Sequence, residues 1–216
     1  MVNSTVTRQS TATSRRAFDV SKRVFDIVVS GVGLVVATPV MVVTGILVYR
    51  KMGSPVIFSQ DRPGKDGRVF RLRKFRTMVQ ADSNTSLLHD HDRLTDFGRK
   101  LRATSLDELP TLWNVLAGDM SLVGPRPLLV KYLPLYSPEQ SRRHEIRPGI
   151  TGLAQVNGRN LLDWKARFEL DVQYVDSRSW RLDCRILAQT IGLVLRREGI
   201  SQAGHSTMPE FLGPDR

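Results

Sequence analysis

From Val24 to Tyr49 the chain is almost wholly apolar, interrupted by Asp26 near the start and by Thr38-Pro39 close to the middle. A helix rising about 1.5 Å per residue over that stretch is long enough to cross roughly 30 Å of hydrocarbon. Pro39, however, removes a backbone donor and crowds the preceding turn, and each half alone is too short to cross. Arg15, Arg16, Lys22 and Arg23 precede the stretch, and Arg50 and Lys51 follow it at once. Basic flanks favour the cytoplasmic side, and here both ends carry them. The pattern therefore predicts a re-entrant membrane helix over residues 22–52 that bends at Thr38-Pro39 and returns to the same leaflet. The Thr38 hydroxyl is a candidate partner for carbonyls freed at the break. An ordinary transmembrane span is the alternative. The stretch is too long for the apolar core of a signal peptide and no small-residue cleavage site follows it, so it is expected to be retained. Met1 to Ala17 are rich in Ser and Thr, carry Arg but no acid, and have no apolar periodicity; residues 1–21 read as a disordered or lead-in arm.

The pattern then changes. Val56-Ile57-Phe58-Ser59-Gln60 and Arg68-Val69-Phe70-Arg71-Leu72-Arg73-Lys74-Phe75 flank a Pro/Gly-containing turn and predict a β-hairpin. In the second run Arg71 and Arg73 alternate with Phe70 and Leu72, which puts the two cations on one face. Lys74 and Arg76 extend the cluster; it suits either a bound anion or a solvated edge that deters aggregation. Further on, Leu106, Leu109, Leu112, Trp113 and Leu116 recur at helical spacing, predicting an amphipathic helix suited to a membrane interface. The chain is thus expected to be α+β and mainly α-helical: a re-entrant membrane helix, a small β-hairpin and interfacial amphipathic helices.

Charge adds a partner. At 216 residues, 41% of them hydrophobic, the chain fits one domain, and its net charge of +11 calls for a polyanion: phosphorylated substrate, anionic lipid or nucleic acid. Nucleic acid is disfavoured, because the basic strand adjoins the membrane segment and lacks a groove-reading helix or stacking pattern. Cys184 is the only cysteine, which excludes an internal disulfide; it is expected to pack.

Candidate chemistry lies where the amphipathic pattern begins. Asp107 and Glu108 sit at a helix start, where backbone amides and nearby cations keep at least one ionised. Such a carboxylate can be a nucleophile or a ligand for a hard cation. Ser105 followed by Glu108 also matches a capping box, which would make the acids structural. Two Gly/Pro-rich loops follow: Gly118 to Pro127, which fixes Arg126, and Arg147 to Asn160, which offers Gln155, Asn157 and Arg159. A fixed guanidinium is a bidentate phosphate clamp. His89, Asp90, His91 and Asp92 look like a metal site, but consecutive residues point in different directions and the run is discounted. Asp171 is either part of the site or on a solvated helix face, and Trp164 and Trp180 are expected to pack or to anchor at an interface.

Together these stretches resemble the small monotopic phosphoglycosyl transferases of bacterial glycoconjugate synthesis. The resemblance runs from Lys22 to Gly213 and rests on five ordered motifs: the apolar segment broken before Pro39, Lys74-Phe75-Arg76-Thr77-Met78, Ser105-Leu106-Asp107-Glu108-Leu109-Pro110, Ser121-Leu122-Val123-Gly124-Pro125-Arg126-Pro127, and Arg147-Pro148-Gly149-Ile150-Thr151-Gly152 with Gln155-Val156-Asn157-Gly158-Arg159. The family's usual helix break has Ser before Pro; Thr38 keeps the hydroxyl. The resemblance implies that Asp107 is the nucleophile, that Glu108 helps to bind Mg²⁺, and that Lys74, Arg76, Arg102, Arg126, Gln155 and Arg159 bind phosphate or nucleotide. It implies a UDP-sugar donor, a polyprenyl phosphate acceptor such as undecaprenyl phosphate, release of UMP, and membrane lipid at the cytoplasmic face of the bacterial inner membrane. Residues 53–200 would then form the membrane-surface catalytic domain and 201–216 a tail packed near the active site. Among such enzymes the chain looks like the compact ones that use UDP-N,N′-diacetylbacillosamine, with UDP-hexose or UDP-N-acetylhexosamine as alternatives. A non-catalytic basic membrane adaptor is the rival of a different class.

Overall fold

The computed structural model describes residues 3–79, 93–158, 162–196 and 210–213, with side chains from Arg15 onward. The His89–Asp92 run and Arg159 lie outside the described residues.

The first element is one long helix, α1 (Asn3–Met52), with Pro39 inside it. It begins well before the apolar run: residues 3–21, within the stretch expected to be a disordered or lead-in arm, are helical and continue into it. The physical reason lies on the body of the protein. Asp19 pairs with Arg178 at 3.0 Å, Lys22 with Asp183 at 2.6 Å, and Phe18 and Phe25 meet the edge of Trp180. A polar composition read as solvated is in part a docking face.

Along α1 the usual polarity is inverted. Asp26, Ser30, Thr44 and Val48 recur at helical spacing and are buried, whereas Val24, Val28, Val32, Val35, Val36 and Val43 are each more than half exposed. The buried stripe is held by specific contacts. Arg23 donates to the carbonyls of Val115 and Leu116, and Asp26 Oδ1 accepts from the Leu122 amide at 3.0 Å. A helix whose polar minority faces protein and whose apolar majority faces outward suits lipid rather than water. Thr38 Oγ1 donates to the Leu34 carbonyl at 2.7 Å, not to the Val35 carbonyl that the missing Pro39 N–H leaves without its donor.

The expected hairpin is present: β1 (Ile57–Pro63) pairs antiparallel with β2 (Val69–Phe75), with Phe58 opposite Lys74 and Arg62 opposite Phe70. Helix α2 (Asp96–Ala103) follows, packed so closely that a Cβ on Gly98 would lie 1.9 Å from the Thr77 carbonyl oxygen. The helix expected through Leu106–Leu116 is broken into a single 3-10 turn, Leu106–Glu108, and α3 (Thr111–Ala117). Ser105 adopts a left-handed φ of 55° and Pro110 caps α3, so two backbone constraints override the apolar periodicity.

Helix α3 completes the hairpin. Thr111 donates to the Arg73 carbonyl at 2.9 Å, and the amide of Asn114 accepts from Arg73 N–H at 3.1 Å and donates to the Arg71 carbonyl at 2.8 Å. One buried side-chain amide thus does for the free edge of β2 what a third strand would do.

The two Gly/Pro loops become neighbours. Strand β3 (Ser121–Val123) pairs in parallel with β4 (Gly149–Thr151), after a short α4 (Pro138–Ser141). A Cβ on Gly124 would lie 2.6 Å from the Arg147 carbonyl oxygen, and one on Gly149 would lie 2.1 Å from the Gly124 nitrogen. Backbone approach this close is open only to glycine. The chain then forms α5 (Leu153–Val156), α6 (Trp164–Ser177) and α7 (Trp180–Arg196). The main core joins Leu72, Val115, Met120, Leu122, Val123, Tyr174 and Ile186, so hairpin, parallel pair and last helices share one interior. A second cluster joins Tyr132, Phe168 and Phe211 with Tyr136 and Trp164, which brings residues 210–213 back onto α6. Cys184, expected to pack, is exposed on α7.

Candidate active site

The turn Leu106–Glu108 is held between β2 and α2, and it projects two consecutive carboxylates with different surroundings. Oε1 of Glu108 accepts from Lys74 Nζ at 2.5 Å and from Arg126 at 3.0 Å. The Ser105 hydroxyl makes no cap, and Glu108 turns to the cations, so the capping-box alternative is not realised. Burial opposes ionisation of Glu108, yet Lys74 and Arg126, with their hydrogen bonds, outweigh it and hold the carboxyl well below the usual carboxylate range. Burial in turn lowers the Lys74 ammonium, and Glu108 offsets part of that shift.

Asp107 is buried to 7% exposure, and among the described residues its carboxylate accepts no hydrogen bond. Burial first, and then the charge of Glu108, push its pKa up; Lys74, Arg102 and Arg126 act against both. The result is an acid with unengaged lone pairs whose ionised form is held by charge alone, as a nucleophile requires.

Arg126 stands between Pro125 and Pro127 at the end of β3, and its charge and Glu108 support each other. Its backbone is fixed from two sides: Arg143 donates to the Arg126 carbonyl at 2.6 Å, and Arg62 donates to the Pro127 carbonyl at 3.2 Å. Arg62 and Arg167 are each lowered to about 10, by burial and then by the charge of Arg126. Arg62 and Arg167 thus each feel the charge of Arg126, which itself bonds Glu108, and guanidinium groups that repel one another suit a bound anion.

The remaining candidates divide. Arg102 donates from Nε to the Thr77 hydroxyl at 3.1 Å and acts on Asp107 through its charge. Arg76, expected to bind phosphate, is instead buried and donates to the carbonyls of Met52, Gly53 and Ser54. It caps the C-terminus of α1, where a cation meets orphan carbonyls and the negative end of the helix dipole. Gln155 has both amide atoms buried with no hydrogen-bond partner among the described residues, and it makes no bond to the carboxylate pair. Asp171 is on neither a solvated face nor the reacting pair; it is buried against Arg143. Arg71 and Arg73 share the exposed face of the hairpin, away from Lys74. Sequence reasoning passed over Arg143 and Arg167 and treated Arg62 only as part of a basic region. Arg143 and Arg62 are tied to the site by contacts distant in sequence, for which one chain carries no local signal.

Mg²⁺ is tested by the donors present. Glu108 Oε2 and both Asp107 oxygens have no hydrogen-bond partner among the described residues, and hard oxygens of this kind suit Mg²⁺. Among the described residues no group of three or more His, Cys, Asp and Glu could hold an ion, so the pair fits a metal completed by substrate phosphate and water.

Fold and site describe a protein with one long helix whose apolar face is turned outward and an acid pair surrounded by cations. Comparison with known proteins is more specific: residues 17–197 match the bacterial sugar transferase family model, and the chain belongs to that family. It is 56% identical over 182 residues to an uncharacterized sugar transferase, EpsL, of Bacillus subtilis, covering 83% of this chain and 90% of that protein. It is 40% identical over 218 residues to the undecaprenyl-phosphate galactose phosphotransferase of Salmonella typhimurium, covering 92% of this chain but only 44% of that protein. The UDP-glucose:undecaprenyl-phosphate glucose-1-phosphate transferase of Caulobacter vibrioides is 36% identical over 192 residues, 84% of this chain and 72% of that protein.

Proposed function

We propose that this chain transfers a sugar 1-phosphate from a UDP-sugar to a polyprenyl phosphate, releasing UMP, by way of a covalent phospho-sugar on Asp107. The observation that carries this reading is the contrast within the pair. Glu108 is locked by Lys74 and Arg126, while Asp107 beside it is buried, without a hydrogen bond among the described residues, and ringed by cations.

An ionised Asp107 oxygen attacks the sugar-proximal phosphorus, a P–O bond to it forms, and the P–O bond to UMP breaks with the electron pair leaving on UMP. An oxygen of the polyprenyl phosphate then attacks the same phosphorus, and the bond to Asp107 breaks, restoring the carboxylate. Lys74 and Arg126 orient Glu108 and set positive charge where phosphoryl oxygens gain negative charge. Mg²⁺, held by Glu108 with Asp107 adjacent, would supply a further offset to the repulsion between carboxylate and phosphate. Gln155, with its unpartnered buried amide, is the candidate to receive hydrogen bonds from the nucleotide or sugar.

Intact mass after donor incubation without acceptor tests the reading. A sugar-phosphate increment should appear on the wild type and be absent from Asp107→Asn, together with UMP release; no increment and no UMP with any donor offered would end it. The donor panel should include UDP-N,N′-diacetylbacillosamine, the choice made from sequence, and UDP-glucose and UDP-galactose. The Salmonella relative is a galactose phosphotransferase and the Caulobacter relative a glucose-1-phosphate transferase, which favours the hexose alternative.

We read α1 as re-entrant, with the catalytic body on the cytoplasmic face of the inner membrane. Both halves of α1 bind the same body: Asp19, Lys22 and Asp26 on one side of Pro39, and Val48 with the Arg76-capped terminus on the other. A straight span would draw that charged body into hydrocarbon, at a cost of several kcal/mol or more per unpaired group. In a Cys184→Ser background, a cysteine at Ser10 should label only from the cytoplasmic side; labelling from the periplasm would reject this topology.

A further inference from the structure

Phe58 is an exposed ring beside a buried charge site. It is the direct cross-strand partner of Lys74, and paired residues of an antiparallel hairpin emerge on the same face with their Cβ atoms about 5 Å apart. Lys74 carries the 2.5 Å contact to Glu108. Toward the other end of this face the hairpin is covered: Leu72 is 6% exposed and lies in the main core with Phe70 packed against it. The cover ends at Phe58, which is 45% exposed and belongs to none of the hydrophobic clusters or ring pairs formed by the described residues.

Its position along the chain is equally specific. β1 starts just after α1 ends at Met52, and Val56 packs 3.7 Å from where a Cβ on Gly45 would lie, so the strand is fixed to the last part of the apolar helix. That part of α1 presents Ile46, Leu47 and Tyr49 outward, and Val56, partly buried against it, precedes Phe58 by the two residues that return a strand to the same face. Apolar surface therefore leads from the lipid-facing helix to the ring, and the charge site begins one cross-strand step beyond it. A ligand matching that order has a long apolar tail and a phosphate head.

We infer that Phe58 is a specificity-determining contact for the isoprenyl chain of the acceptor, packing its first units while the phosphate meets the Lys74–Glu108 side of the site. The inference rests on the reaction proposed above and names the substrate part that this residue recognises. A nucleotide donor has no apolar chain that needs this surface. A base stacked on the ring is the competing occupant.

The test uses the full chain in proteoliposomes, with Phe58→Ser and Phe58→Leu. Phe58→Ser should raise the KM for undecaprenyl phosphate about tenfold, the loss expected when roughly half of a phenyl burial is forfeited. Its discrimination between that acceptor and a short-chain isoprenyl phosphate should shrink. The donor KM and the rate of acceptor-free UMP release should not change, and Phe58→Leu should recover most of the acceptor affinity. A changed donor KM or slower UMP release would assign the ring to the donor or to Lys74 placement and overturn the inference, as would an unchanged acceptor KM. Loss of Phe58→Ser from sedimented vesicles would make the ring a membrane anchor and overturn it too. Absence of UMP release from the wild type is the separate result that removes the underlying reaction.

Discussion

Arg143 donates through Nε at 3.1 Å and Nη2 at 2.7 Å to one oxygen of Asp171, and the two side chains are only 1% and 2% exposed. The same Nη2 donates to the carbonyl of Arg126, so Asp171 fixes the arginine that fixes the backbone of a residue touching Glu108. Asp171→Asn leaves a buried guanidinium without its counter-charge. A loss of roughly 3–5 kcal/mol is expected, with reduced turnover in whatever fraction folds. Thermal unfolding in detergent and UMP release per folded protein check both parts; an unchanged midpoint would show that the pair is not structural.

Asp107 should show stability opposed to function. Burial and Glu108 raise its pKa, so the folded state binds its proton more tightly than the unfolded state does. Stability from this group is therefore highest below the unfolded pKa, falls as pH rises toward the folded pKa, and stays reduced at neutral pH. Asp107→Asn, which carries no charge to desolvate, is expected to melt at or above the wild-type temperature in EDTA at pH 7. Activity should fall on the order of 10⁴-fold or more. A clearly lower midpoint would mean that the carboxylate holds the fold together.

Asn114 offers a test with no chemistry in it. Its amide bonds both a donor and an acceptor on the edge of β2, and the residue is 1% exposed. Asn114→Leu leaves Arg73 N–H and the Arg71 carbonyl unpaired in the interior, for a loss of about 2–4 kcal/mol. Faster amide exchange confined to β2 and α3 would locate the damage; uniform exchange across the chain would count against this account.

His144 gives an acid limit. Burial and then Arg143 lower it to about 4, and its Nδ1 lies 3.2 Å from the Gly64 carbonyl while Nε2 is buried with no partner. A depressed folded pKa means the unfolded state takes the proton first. The contribution is intact above about 6.5 and is lost as pH falls from there toward 4, on the order of 2–3 kcal/mol over the window. His144→Gln should flatten the unfolding midpoint against pH in that interval relative to the wild type. Parallel curves for the two proteins would assign the acid sensitivity to other groups.

The hairpin and the carboxylate pair were legible because their signals are local. Strand propensity around a Pro/Gly turn specifies Ile57–Phe75 wherever the chain lies, and two adjacent acids are adjacent in any fold. The role of the acids was not legible. Ser105 and Glu108 satisfy the spacing of a capping box, and only the left-handed turn at Ser105 and the arrival of Lys74 and Arg126 decide against it. The placement of Arg76 was hidden for a similar reason: a basic cluster in sequence separates, in space, into residues facing the site and one facing the end of α1.

By itself the sequence determined a long apolar helix, a basic hairpin, an acid pair and two rigid glycine-rich loops, because each is a matter of neighbours along the chain. Only the tertiary structure decided that the loops lie side by side, that Asn114 closes the sheet edge, that the polar face of α1 is the buried one, and that Glu108 is held by two cations while Asp107 has no hydrogen bond among the described residues. Those outcomes depend on which distant groups satisfy one another's hydrogen bonds and charges, and the free energy of burial is settled by the whole interior rather than by any one segment.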